Sequence, residues 1–187
     1  WDTPHGVPPF DKILPEHFMP AFERGMSLHE AEIDAITSNK DEATFENTIL
    51  AYDNAGQMLA QTELVFGMLC AAETNDRMQA LQEQAMPLLA AHRDKIRLDD
   101  KLFVRVKEVY DRRAALGLDA EQMRLLQKTY DSFVRAGALL DAEQKARLKE
   151  INGQLSLTAV KFGNNILAEN NNFVLELKSD ELDGLPA

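Results

Sequence analysis

The chain of 187 residues contains one cysteine, Cys70, so it cannot form an internal disulfide or a cysteine-based zinc finger. Cys70 lies in the apolar run 66–70, which favours a small core residue over a reactive thiol. The sequence also lacks an apolar stretch long enough to span a bilayer and an opening that resembles a signal peptide. We therefore expect a cytoplasmic protein, with a periplasmic protein free of disulfides as the alternative.

Basic residues are few. The chain has 20 Lys and Arg against 31 Asp and Glu, which gives a formal net charge of -11. Duplex nucleic acids are bound through clustered Lys and Arg, and the sequence contains no basic run. The same deficit argues against binding to an anionic membrane surface. The hydrophobic fraction of 45% is nevertheless enough for a sizeable core. We expect residues 1–187 to form a single domain.

Strand patterns are scarce, and apolar residues recur at helical spacing along nearly the whole chain. The pattern predicts an all-α fold of about six mostly long antiparallel helices, which start near residues 15, 44, 75, 99, 119 and 141. Prolines at 4, 8, 9 and 15 predict an extended lead-in over residues 1–15. The predicted N-caps are Thr44, Asn75 or Asp76, Asp99 or Asp100, Asp119 and Asp141.

The sixth helix has an inward stripe in this prediction, formed by Leu148, Ile151, Leu155, Ala159, Phe162 and Ile166. Residues 173–177, of sequence Phe-Val-Leu-Glu-Leu, are the one good strand candidate. A lone strand leaves its backbone groups without partners. We therefore expect it to pair with the lead-in or to begin, within residues 173–187, the connection to another part of a longer protein. The opening at Trp1 and the abrupt end at Ala187 also indicate a segment of a longer protein.

The stretch His29-Glu30-Ala31-Glu32-Ile33 begins like the zinc-protease motif H-E-x-x-H. That motif needs a second histidine four residues after the first, so that both face one metal ion on the same side of a helix. Ile33 occupies this position, and the inverted motif H-x-x-E-H fails at the same residue. We interpret His29 as a surface residue of the first helix, with Leu28, Ile33 and Ile36 facing inward.

The other histidines, His5, His17 and His92, are far apart in sequence and lack a partner at metal-ligand spacing. His17 is expected to pack or form a hydrogen bond at a helix start, and His92 is expected at a helix surface or interface. No glycine-rich phosphate loop, nucleophile elbow or Cys-His pairing is present. The residues themselves therefore predict no catalytic, cofactor-binding or metal-binding residue in this chain.

Several ordered stretches together resemble the N-terminal region of the thimet-oligopeptidase-like zinc metallopeptidases, and within that family its bacterial peptidyl-dipeptidase branch. The stretches are Thr3-Pro4-His5-Gly6, Pro8-Pro9-Phe10-Asp11-Lys12-Ile13, Pro15-Glu16-His17-Phe18, Thr44-Phe45-Glu46-Asn47-Thr48, Ala72-Glu73-Thr74-Asn75, Leu102-Phe103-Val104-Arg105, Asp131-Ser132-Phe133-Val134-Arg135 and Leu182-Asp183-Gly184-Leu185-Pro186. The resemblance covers essentially the whole chain.

The resemblance implies a nearly all-helical enzyme with two halves around a deep channel. Zinc would be held by an H-E-x-x-H motif and a further Glu in the C-terminal half, and none of those residues occurs in this chain. The chain would then be the non-catalytic half that restricts the channel to short unfolded peptides. Its partner would be its own C-terminal catalytic half, and the whole enzyme would release C-terminal dipeptides.

The alternative hypothesis is a stand-alone helical binding or scaffold module, because helices without a site often pack against partners. If the chain is instead one half of a channel enzyme, its separation from the other half would expose an apolar or strongly acidic face. We expect such a face on the first or sixth helix.

Overall fold

The computed structural model describes residues 3–178, and its regular structure is helical throughout. The α-helices are α1 Phe18–Ser38, α2 Ala51–Asp53, α3 Gln57–Ala72, α4 Asp76–Arg97, α5 Asp100–Asp111, α6 Ala120–Arg135 and α7 Ala142–Asn172. A π-helical segment, Phe45–Leu50, leads into α2. Short 3-10 turns lie at Pro4–Gly6, Phe10–Lys12, Pro15–His17 and Arg113–Ala115. The all-α prediction is confirmed, and all of the α-helices except α2 are long.

Side-chain caps fix the starts of the π-helical segment and of α4, α5, α6 and α7 at the predicted residues. Asn75 and Asp99 accept hydrogen bonds from the backbone N–H groups of Met78 and Leu102, at 3.0 and 2.8 Å. Complete capping boxes, in which the third helical residue bonds back to the cap, are present at Thr44, Asp119 and Asp141. Each cap satisfies backbone donors that the helix itself cannot pair.

The predicted continuous second helix is wrong, because the chain turns between α2 and α3. Gly56 has a φ of 74°, a left-handed conformation that favours glycine. Its N–H donates to the Glu32 carboxylate at 2.7 Å, which ties the turn to α1. The turn therefore redirects the chain, and Leu59 and Phe66 are buried on α3 as a separate helix.

Two hydrophobic clusters make up the core. The first cluster joins α1, α3 and α4 through Phe18, Phe22, Leu59, Val65, Phe66, Met78, Ala85 and Leu89. The second cluster joins the end of α1 and of α4 to the π-helical segment, α5 and α6, through Ile33, Ile36, Ala43, Phe45, Ile49, Ile96, Leu102, Phe103, Val106, Val109, Leu126, Phe133 and Ala138. Helices α1 and α4 contribute to both clusters and connect them.

Long-range contacts set the directions of the helices. Helix α3 runs antiparallel to α1, since Phe66 packs on Phe18 and Gly56 bonds to Glu32. Helix α7 runs antiparallel to α4, because Asn152 donates to Asp94 at 2.8 Å and Asn164 to Glu83 at 3.5 Å. Both of these pairs are antiparallel, whereas α1 and α4 run parallel, since Glu16 pairs with Arg77 near their starts and Glu30 pairs with Lys95 further along.

The inward stripe predicted for the last helix points outward, except at Leu148, which is half-buried beside Gly137. Helix α7 contacts α4 through a side that includes Asn152, Ser156 and the buried Val160. On its opposite side, four apolar side chains are exposed, namely Ile151, Leu155, Phe162 and Ile166, and we call this surface the outer face of α7. Leu155 and Phe162 are 63% and 65% exposed. The predicted burial is wrong because no element within residues 3–178 covers this side.

Both ends of the described chain depart from the sequence predictions. No strand forms within residues 3–178, and Phe173, Val174 and Leu175 are exposed beyond the end of α7. A strand at 173–177 would need a partner for its backbone groups, and the lead-in does not supply one. The lead-in also differs from an extended chain, because 3-10 turns interrupt it. The predicted motif 182–186 lies outside the described residues.

Across residues 3–178, none of the helices combines the length and apolar character that crossing a membrane requires.

Gly25 allows α1 and α3 to approach closely, and this generates the first prediction. A Cβ added at Gly25 would lie 3.0 Å from the Leu59 Cα, a backbone atom that cannot yield easily. We expect Gly25→Ala to lower the free energy of unfolding by about 1–3 kcal/mol, measured by urea denaturation.

The matched control is Gly67→Ala on α3, where an added Cβ meets no atom within 4 Å. Because alanine favours the helix over glycine, this variant should gain about 0.5–1 kcal/mol. Equal effects of the two substitutions would contradict a close helix contact at Gly25.

Candidate functional site

A groove of about 500 Å³ lies between α3 and α4 and has α1 at its floor. Its polar lining residues include His29, Glu63, His92 and Arg93. The groove lies where the two hydrophobic clusters meet, since His29 precedes Ile33 on α1 and His92 lies between Leu89 and Ile96 on α4. It is therefore the place where ionisable side chains enter the helix interface.

The two histidines form a direct hydrogen bond, with His92 Nε2 lying 3.0 Å from His29 Nδ1. His92 is buried and His29 is half-buried. The Glu30 carboxylate lies 3.5 Å from His92 Nδ1, which favours a proton on that nitrogen. We accordingly assign His29 Nδ1 as the donor and His92 Nε2 as the acceptor, so that both rings are neutral.

Acidic and basic neighbours hold this pair from all three helices. Glu30 is bound by Lys95 of α4 at 2.8 Å, and Glu63 of α3 is bound by Arg93 of α4 at 2.7 Å. These ion pairs connect α1 to α4 and α3 to α4 along the groove. Their carboxylates are neutralised by their own cations, so they do not fully compensate a positive charge on the histidines.

Burial lowers the pKa of both histidines, because a charged imidazole loses its hydration in the helix interface. For His29, the proximity of His92 lowers the pKa further, while the Glu32 and Glu30 carboxylates oppose the shift. For His92, Glu30 opposes the effect of burial. The hydrogen bond from Lys95 lowers the pKa of the Glu30 carboxyl, which stays ionised at neutral pH.

Gly56 completes the groove by its closeness to His29. A Cβ at Gly56 would lie 2.9 Å from His29 Nδ1, on top of the positive φ that already disfavours other residues. The turn that breaks the predicted second helix is thus the element that encloses the His29 ring.

The histidine pair does not fit a zinc ion. Zinc requires ligand nitrogens at about 2.0–2.1 Å, aimed at one shared point. Here the two nitrogens are directed at each other, and the nearby Glu30 is bound to Lys95. Among the described residues 3–178, no group of three or more His, Cys, Asp or Glu side chains could hold a metal ion. We derive no metal chemistry from this groove.

Sequence reasoning missed the pairing of His29 with His92 and gave both residues surface or interface roles. Partial burial of His29 corrects its surface interpretation, and burial of His92 against α1 bears out the interface alternative for that residue. A signal was present, because each histidine occupies a position on an inward stripe, one turn from Ile33 and from Ile96 respectively. The spacing of residues along the chain cannot predict a contact between two residues that are 63 positions apart.

The remaining candidates behave largely as expected. His17 accepts a hydrogen bond from the Leu14 N–H at 3.2 Å, which confirms its role at a helix start. Cys70 is half-buried against the first cluster, and burial raises the pKa of its thiol, so little thiolate is present at neutral pH. His5 is exposed in a 3-10 turn. The structure brings none of these three residues to the groove.

The chain is similar in sequence to several peptidases. It is 41% identical over 167 residues to the dipeptidyl carboxypeptidase of Escherichia coli K12, covering 89% of this chain and 24% of that protein. It is 39% identical to the dipeptidyl carboxypeptidase of Salmonella typhimurium, over 88% of this chain and 24% of that protein. Oligopeptidase A of Escherichia coli is 24% identical over 185 residues, which are 98% of this chain and 27% of that protein. No protein-family model matches the chain. The chain thus spans about a quarter of the length of these curated relatives.

The lowered pKa values of the histidine pair predict a dependence of stability on pH. In the folded chain the two imidazoles take up protons only at a lower pH than in the unfolded chain, where the ordinary histidine pKa is 6.5. The stability is therefore complete above that pH and falls as the pH decreases towards 5. We expect this fall in urea denaturation series between pH 7 and 5.

The double variant His29→Gln/His92→Gln, which cannot protonate at these positions, should flatten the dependence. His5→Gln, at an exposed histidine outside the groove, is the matched control, and an effect as large as that of the double variant would show that the groove is not the cause. A decrease that is equally steep in the double variant would show that other groups cause it.

Proposed function

We propose, on the premise that this chain belongs to the oligopeptidase family represented by dipeptidyl carboxypeptidase and oligopeptidase A, that it is the N-terminal, non-catalytic part of a longer peptidase. The observation that carries the proposal is the coverage: the similarity extends over 89% of this chain and only 24% of a dipeptidyl carboxypeptidase. A protein of that family would have about three quarters of its length outside this chain. The proposal assigns the catalytic residues to that remainder.

The finer parts of the proposal follow from the resemblance to the thimet-oligopeptidase-like enzymes. The longer protein would be a zinc metallopeptidase that cleaves short unfolded peptides, and it would release dipeptides from their C-termini. The helices of this chain would form one wall of the channel and restrict access to it. The proposed compartment is the cytoplasm, with the periplasm as the alternative.

The exposed outer face of α7 supports the proposal that a large part of the same protein packs against this chain. A globular chain seldom exposes a row of apolar side chains over several helical turns unless they meet another surface. Ile151, Leu155, Phe162 and Ile166 form such a row, while the opposite side of α7 carries Asn152, Ser156 and Asn164 towards α4. The inner side of α7 is therefore mixed, with Val160 buried among polar side chains, whereas the outer face leaves its large apolar side chains exposed. We propose that the catalytic part of the longer protein covers its apolar side.

A stand-alone binding module is the second candidate, and the same outer face is the observation that favours it. An apolar stripe on an exposed helix could equally receive an amphipathic helix from another protein. The two candidates differ in what continues the chain. A downstream H-E-x-x-H motif in the parent gene supports the peptidase, and a stop codon directly after Ala187 supports the module.

The proposal predicts that the 187-residue chain takes up no stoichiometric zinc and cleaves no peptide on its own. Zinc uptake is measured by titration calorimetry, and cleavage by mass spectrometry of a set of short peptides. Full-length dipeptidyl carboxypeptidase of Escherichia coli is the positive control.

Tight one-to-one zinc uptake that is abolished by His29→Ala would contradict the proposal. Such a result would place a metal site in the groove despite the hydrogen bond between its two histidines.

A further inference from the structure

A second cleft, of about 490 Å³, concentrates positive charge in this otherwise acidic chain. We call it the basic cleft. Its charged lining residues are Arg97 at the end of α4 and Arg124, Lys128, Asp131 and Arg135 on α6. Four positive side chains thus face one carboxylate, whereas the whole chain has a formal net charge of -11. The four α6 residues follow helical spacing, so they share one face of that helix.

The cations of the basic cleft are not neutralised within the described structure. Other cations, such as Arg93 and Lys145, form ion pairs with carboxylates. Across residues 3–178, none of the four cleft cations has a carboxylate within salt-bridge distance. Asp131 accepts a hydrogen bond from Gln127 at 2.9 Å instead of pairing with a cation. All four cations are exposed, so an anion with several charges can reach them together from solvent.

Helix dipoles explain only part of this charge. Arg97 and Arg135 lie in the last turns of α4 and α6, where a cation is stabilised by the helix macrodipole. Arg124 and Lys128 lie near the start and in the middle of α6, where that stabilisation is absent.

We propose that the basic cleft binds a linear polyphosphate anion of three or more phosphates. The Cα atoms of Arg124 and Arg135 are eleven residues apart, about 16 Å along the helix, so the row of cations suits an elongated anion better than a single orthophosphate. Three of the four cations are arginines, whose planar guanidinium groups suit bidentate contacts with phosphate oxygens.

The rest of the lining favours a polyphosphate over a peptide or a nucleotide. Beyond the charged residues, the cleft is lined by Ser132 and Ala136. It therefore contains neither a large apolar side chain to receive a peptide side chain nor an aromatic ring on which a base could stack. A compact ion with several negative charges is what this lining can recognise.

The test is titration calorimetry of the 187-residue chain with sodium tripolyphosphate, with orthophosphate as the single-phosphate comparison. We expect saturable binding of tripolyphosphate and much weaker binding of orthophosphate. Arg124→Gln and Arg135→Gln should each weaken the affinity by about tenfold, the scale of one lost charge-assisted contact. Arg24→Gln on α1, which also removes an exposed arginine, should leave the affinity unchanged. Circular dichroism verifies that each variant keeps its helices.

Several outcomes would overturn the proposal. Absence of tripolyphosphate binding would do so, as would an equal loss of affinity in Arg24→Gln, which would indicate diffuse attraction. Equal affinity for a glutamate-rich peptide of the same charge would make the cleft a peptide surface. Binding by this chain and not by the longer protein would show that the cleft is an internal contact surface.

Discussion

The close packing of α3 and α4 against α1 is the contact on which the rest of the fold depends. Helix α1 supplies Phe18 and Phe22 to the first hydrophobic cluster and Ile33 and Ile36 to the second. Gly25 lets α3 approach within contact distance of the α1 backbone. Because α7 packs on α4, its position also depends on α1, through α4. A shift of α1 would therefore displace both clusters and the groove together.

The histidine pair is a polar interruption of this apolar interface. Burying an imidazole without a partner costs free energy, and the hydrogen bond between His29 and His92 offsets that cost as long as the accepting nitrogen, His92 Nε2, carries no proton. The bond is directional, so it also defines how far α4 can slide along α1. The ion pairs of Glu30 with Lys95 and of Glu63 with Arg93 also limit the position of α4, because they join it to α1 and to α3 along the groove. The interface is thus specified by charge and geometry as well as by apolar area.

Sequence reasoning predicted the features that depend on neighbouring residues. The caps at Thr44, Asn75 and Asp99 follow from side chains and backbone groups three positions apart, and all three are confirmed. Sequence reasoning failed for features that depend on contacts between residues far apart in the chain. The break at Gly56 depends on Glu32 and His29 of another helix, and the pairing of His92 depends on the same helix. The stripe of α7 was identified correctly as apolar, but its orientation depends on what lies against it, and that could not be read from spacing.

The most direct test of the account concerns the outer face of α7, which we propose is covered by the catalytic part of a longer peptidase. Hydroxyl-radical footprinting measures the oxidation rates of Leu155 and Phe162, which are 63% and 65% exposed in this chain. The account predicts rapid oxidation in the 187-residue chain and strong protection of both side chains in the longer protein at the same radical dose. Equal oxidation rates in the two proteins would contradict it.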